Sequence, residues 1–106
     1  MQIQLNTDKN IGQSESLLDF VRTELRSRLA HQADRLTRVE VHIRDKNADR
    51  ESPGDKHCSV EARPKGMEPI VVNHEADNVH DAIKGAAERM ERVLRRTFDK
   101  RDEVRP

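Results

Sequence analysis

The stretch from Asn78 to Arg101, NVHDAIKGAAERMERVLRRTFDKR, constrains the fold more than any other part of the chain. It is the longest periodic segment. At 100° per residue, Val79, Ala82, Ile83, Ala86, Met90, Val93, Leu94 and Thr97 fall on one helical face. Asn78 stands where an N-cap belongs, and Asp81, three residues on, can return the bond. A helix with one apolar stripe needs a surface to lie on, and the rest of the chain must build it.

Four short alternating runs supply that surface. In Met1 to Thr7, Met1, Ile3 and Leu5 point one way and Gln2, Gln4 and Asn6 the other. Arg38 to Asp45 turns Val39, Val41 and Ile43 inward and Arg38, Glu40, His42 and Arg44 outward. His57 to Arg63 does the same with Cys58, Val60 and Ala62. Pro69 to Ala76 is a strand whose inward set stays open: Ile70, Val72 and His74, or Val71, Asn73 and Glu75, the first being more apolar. Between the first two runs lies a second helix. Ser14 is its expected N-cap, and Leu17, Leu18, Val21, Leu25 and Leu29 form its stripe; Phe20 closes the edge and the end falls near Gln32. Lys46 to Lys56 reads as a long polar, mobile hairpin loop.

The order β-α-β-β-β-α therefore predicts an α+β fold. Two layers are expected, a four-stranded mixed sheet with two helices packed on one face. The crossover makes the first two strands parallel, and hairpins make the later ones antiparallel. Residues 1–101 are expected to form a single domain and 102–106 a short disordered tail. Gly85, inside the last helix, costs about 1 kcal/mol against alanine, so close approach to the sheet or to the first helix is its expected reason.

Composition narrows the function. At 106 residues, with 33% hydrophobic and 38% charged side chains, one modest aliphatic core is the expectation. No apolar run is long enough to span a bilayer, so no membrane partner is expected. A single cysteine, Cys58, fits a reducing cytoplasm. His42, His57, Cys58, His74 and His80 match no usual zinc spacing, and no glycine-rich phosphate loop or GxSxG is present. The expectation is a non-enzymatic protein with no catalytic residues, metal, cofactor or small-molecule substrate.

Net charge is zero, but the charges are not spread evenly. Residues 84–101 hold seven basic and three acidic side chains, and residues 22–44 hold six and three. On the last helix Arg89, Arg92, Arg96 and Lys100 fall within roughly 80° of one another, a basic rail beside the apolar stripe. The competing reading is an ordinary solvated helix face. Glu88–Arg92 and Glu91–Arg95 are i,i+4 pairs in the favoured orientation, whereas Arg89, Arg96 and Lys100 have no carboxylate at that spacing. Arg22 and Arg26 on the first helix and Arg44 on the sheet are further candidates for RNA contact. The outer sheet face carries no aromatic residue, which argues against stacked-base readout there; pairing of its arginines with Glu40 and Glu61 is the plainer reading.

The element order, the opening MQIQLNTDKN, the strand RVEVHIRD and above all AIKGAAERMERVLRR resemble the ribosome hibernation family. This group comprises the hibernation-promoting factors and ribosome-associated inhibitors, also called sigma-54 modulation proteins; the likeness is to its short members and covers roughly residues 1–100. It implies a cytoplasmic translation regulator that binds the 30S subunit or 70S ribosome under stress or in stationary phase. Such a protein occupies the mRNA/tRNA channel and contacts 16S rRNA through basic residues. Aligned at Ala82-Ile83-x-Gly85, the family's basic positions on the last helix fall on Arg89, Arg92, Arg96 and Lys100. Two alternatives stay open: a protein-interaction module of the same fold, with weak or no ribosome affinity, that uses its surfaces for a protein partner or a weak homodimer, and a general double-stranded RNA binder.

Overall fold

The computed structural model describes residues 1–46 and 54–103. The elements run β1 (Gln2–Thr7), α1 (Glu15–Arg28), a 3-10 helix (Ala30–Arg35), β2 (Leu36–Asp45), β3 (Lys56–Pro64), β4 (Ile70–Ala76) and α2 (Val79–Glu103). The strands form one sheet in the order β1-β2-β3-β4. The β1–β2 pair is parallel, with Ile3 opposite Val39 and Leu5 opposite Val41. The other two pairs are antiparallel, with Val60 opposite both Val41 and Val72.

Alternation decides which face is covered. Ile3, Leu5, Val39, Val41, Ile43, Cys58, Val60, Ala62 and Val72 are buried beneath the helices. The open choice on β4 resolves in favour of Ile70, Val72 and His74, because Val72 is buried opposite Val60 while Val71 is left 52% exposed on the outer face. Both helix starts follow the residues expected to cap them. Ser14 Oγ accepts from Leu17 N–H at 3.1 Å. Asn78 Oδ1 accepts from Asp81 N–H at 2.8 Å, and Asn78 Nδ2 donates to Asp81 at 2.9 Å. Each such cap satisfies a backbone donor that the helix cannot.

Several boundaries differ from the sequence reading. The α-helical part of α1 stops at Arg28, and the chain to Arg35 tightens into the 3-10 helix. β2 starts two residues early, at Leu36, which is buried and faces Pro64 across an irregular register. α2 buries Ala87 and Phe98 besides the expected stripe, while Val79, Val93 and Thr97 are only half-buried. The cause is that α2 packs against α1 as well as the sheet, so its buried arc is turned toward that neighbour. α2 also continues through Asp102 and Glu103, past the expected end at Arg101. Asp102 is held by Arg35, whose guanidinium donates to both carboxylate oxygens at 3.1 and 3.3 Å and lies 4.0 Å over the Phe98 ring. The interior of the Lys46–Lys56 loop, residues 47–53, and residues 104–106 of the expected tail lie outside the described residues.

Asp8 fastens the end of β1 to β2. Its carboxylate accepts from Asn10 and Ile11 N–H at 3.1 and 2.9 Å, and from Asp45 N–H at 3.0 Å. Burial alone raises its pKa, but the three backbone donors and the nearby Arg44 outweigh that and hold it below the usual carboxylate value.

Candidate nucleic-acid interface

The two flanks of α2 have different neighbours. One faces α1 and the 3-10 helix after it: His80 meets the Phe20 ring edge-on at 4.2 Å, Glu91 pairs with Arg28 at 3.6 Å, and Asp102 pairs with Arg35 of the 3-10 helix. The other flank lies over β4. There Gly85 rests against the His74 imidazole; a Cβ at that position would lie 2.6 Å from His74 Cγ and nearer still to Cδ2 and Nε2. This close approach to the sheet accounts for a glycine inside the helix. Farther along, Thr97, Lys100 and Arg101 line a shallow groove with Met67, on the turn that leads into β4.

Counting from Gly85 at 100° per residue, Arg89, Arg92, Arg96 and Lys100 continue this second flank. All four are exposed, and none has an ion-pair partner among the described residues. The flank is thus a row of solvated cations about 16 Å long, from 11 residue steps at 1.5 Å each. Its charges are spaced along an axis rather than clustered at a point. Such a row suits successive phosphates of a nucleic-acid backbone, since a guanidinium fork meets phosphate oxygens bidentately.

The remaining candidates do not join that row. Arg22 and Arg26 are exposed on α1, but each lies two residues, and so about 160° of helix, from the Phe20, Glu24 and Arg28 side that meets α2. They form a separate basic spot on the far flank of the helix layer. Arg44 is on the opposite surface altogether, the outer face of the sheet, with its Nη2 3.3 Å from His57 Nδ1. Burial, with Lys46 and Arg44 nearby, keeps the His57 pKa below its ordinary value.

The outer sheet face neutralises its own charges. Glu40 receives Arg38 at 2.8 Å and Arg63 at 3.4 Å and lies 3.7 Å from His42; Arg63 also donates to Glu61 at 2.9 Å. Lys46 and Glu75 close the row at 2.8 Å, which holds the Glu75 carboxyl below its usual range. With Arg38 and Arg63 held this way and no aromatic ring on it, this face is a poorer anion surface than the α2 flank, although Arg44 stays exposed on it without an ion-pair partner among the described residues.

No cluster of three metal-ligating side chains occurs among the described residues. Cys58 is fully buried, and burial pushes its thiol up to about 12. No described helix is long and apolar enough to cross a membrane.

Sequence reasoning missed Asp8 as a clamp and the use of Arg28 and Arg35 as partners for α2. All three depend on residues far away in the chain. The one local hint was Asp8 at the start of a turn, where a side chain often accepts from backbone two and three residues on.

The same architecture occurs in solved structures. The chain is similar to the N-terminal domain of Protein Y from Thermus thermophilus, with a TM-score of 0.73 and 20% identity, over 92% of this chain and 99% of that one. It is also similar to a ribosomal subunit interface protein from Coxiella burnetii, with a TM-score of 0.72 and 14% identity, over 93% and 99%. At such identities the likeness is one of fold. No curated protein sequence matches it. A family model matches residues 6–102, from the last part of β1 to the last turn of α2, and places the chain in the sigma 54 modulation protein / S30EA ribosomal protein family.

Proposed function

We propose that this protein is a ribosome-binding regulator of translation that enters the mRNA/tRNA channel of the small subunit under stress or in stationary phase. Arg89, Arg92, Arg96 and Lys100 make its main contacts with 16S rRNA phosphates. The observation that carries the reading is the α2 flank itself, four exposed cations in line with no carboxylate answering them. Family membership supplies the ribosome as the RNA. Arg22 and Arg26 make secondary contacts from the other side of the helix layer. Arg44 contacts RNA only where the channel wall reaches the outer sheet face. Phosphate contacts of this kind position a protein without reading sequence, so shape supplies the selectivity.

The test is sedimentation with 30S and 70S particles at low salt. Arg89→Ala, Arg96→Ala and Lys100→Ala combined abolish co-sedimentation while leaving the circular dichroism spectrum unchanged. A folded triple variant that still travels with the particles removes the rail from the interface. Wild-type binding weakens steeply with salt, because counterion release dominates contacts to phosphate. A plain RNA duplex bound as tightly as the ribosome would favour the general RNA-binding reading instead. Self-association is the second reading of the surface. The exposed Val71 on β4 favours it, and sedimentation equilibrium of the free protein decides it.

A further inference from the structure

Local spacing assigns Glu91 to Arg95, as an i,i+4 pair in the favoured orientation. The structure assigns it elsewhere. Glu91 Oε1 lies 3.6 Å from Arg28 Nη1, across the gap between the helices. Arg28 is anchored in turn by Glu24, whose Oε2 is 3.4 Å from Arg28 Nε. Glu24 and Glu91 are both largely covered, with side chains 18% and 27% exposed, whereas Arg95 is exposed with no ion-pair partner among the described residues. The other carboxylate within reach of Arg95, Asp99, stands in the weaker orientation, C-terminal to the cation.

We infer that Arg95 is a further phosphate-contacting residue and that Arg28 is the positioning residue that keeps it available, by holding Glu91 against α1. Arg95 lies about 60° round the helix from Arg92, on the side nearer α1, so it widens the rail by one row across the solvent-facing crest of α2. Arg28 touches no RNA in this scheme. Its effect is to withdraw an acidic side chain from the binding surface. The inference rests on the rail reading for its ligand, though not for its geometry: any flexible polyanion reads the same surface.

The experiment is a double-mutant cycle between Arg28→Ala and Arg95→Ala. It is read as the dissociation constant for 30S particles and, independently, as salt-dependent affinity for heparin. Losing one phosphate contact lowers the salt slope by ~0.7 and weakens binding about fourfold at 0.15 M salt. Arg95→Ala shows that loss. Arg28→Ala shows a comparable loss, because the released Glu91 turns to Arg95. The double variant is no weaker than either single one, since Arg28 has nothing left to protect. Glu91→Gln restores affinity in the Arg28→Ala background and leaves the Arg95→Ala defect in place.

A simple net-charge effect gives additive losses in the cycle, and additivity on both ligands overturns the inference. So does an Arg28→Ala variant that is folded and binds both ligands like wild type. Coupling seen on heparin with no binding to 30S particles sinks the ribosome reading and leaves the inference standing. Melting temperatures of all variants identify any loss that comes from unfolding.

Discussion

Replacing Gly85 with alanine tests the packing of α2 on β4, because two effects of known size oppose each other there. In a helix interior alanine is favoured over glycine by about 0.8–1 kcal/mol. Against this, the new Cβ would sit 2.6 Å from His74 Cγ and nearer to two other ring atoms. An encounter with a ring's base atom cannot be relieved by turning the ring about its own bond. The imidazole must leave, or α2 must lift from the sheet, and overpacking of this kind costs roughly 1–3 kcal/mol. Gly85→Ala is therefore destabilising by about 1 kcal/mol net in the wild-type background. In a His74→Ala background the obstacle is gone, and the same substitution becomes stabilising by nearly 1 kcal/mol. Urea denaturation followed by circular dichroism at 222 nm gives the four free energies of the cycle. If Gly85→Ala stabilises both backgrounds, or destabilises both equally, the imidazole is not what excludes a side chain at residue 85.

Two further predictions follow from single side chains. Asp8→Ala leaves three backbone N–H groups without their acceptor and destabilises the protein by about 1–2 kcal/mol near neutral pH. Because the folded-state pKa of Asp8 is lowered, its contribution is present above the unfolded value of 3.8 and is lost as pH falls through the folded one; the gap between wild type and variant in a thermal melt therefore closes on acidification. A gap unchanged down to pH 2 would show that the charge is irrelevant. Cys58, with its thiol raised to about 12, resists a disulfide reagent at pH 8 in the native protein and reacts at once in urea; rapid native modification would contradict its burial.

Much of this was legible in the chain, and what was hidden follows a physical pattern. Alternation in RVEVHIRD specified a half-buried strand and its inward face, because a period of two leaves no choice once one side is apolar. In PIVVNHEA both registers carried an apolar residue, and only pairing with β3 decided between them. The caps at Ser14 and Asn78 were readable because a cap is a contact between near neighbours. Phe98 and Ala87 were not placed in the core, since their burial depends on where α1 lies. The assignment of Glu91 to Arg95 failed for the same reason. Counting i,i+4 partners treats the helix as isolated, and Arg28, 63 positions before Glu91, takes that carboxylate away. The surplus of cations on one flank was visible in the sequence, while which of them are answered required the neighbouring helix.

The basic flank also bears on the sheet beside it. β4 is an edge strand, seven residues long, whose only built-in deterrents to pairing are Pro69 before its start and Glu75 near its end. A second molecule docking there about a two-fold axis would extend the sheet across both copies. It would also bring the flanking arginines of each copy toward those of the other. At low ionic strength that like-charge approach is unfavourable, and screening with a Debye length near 10 Å at 0.1 M relieves it. In such a dimer the same residues would oppose edge pairing at low salt, and that opposition would fade as salt rises. Ionic strength would then push the two proposed associations in opposite directions, loosening the hold on a polyanion while easing contact between copies.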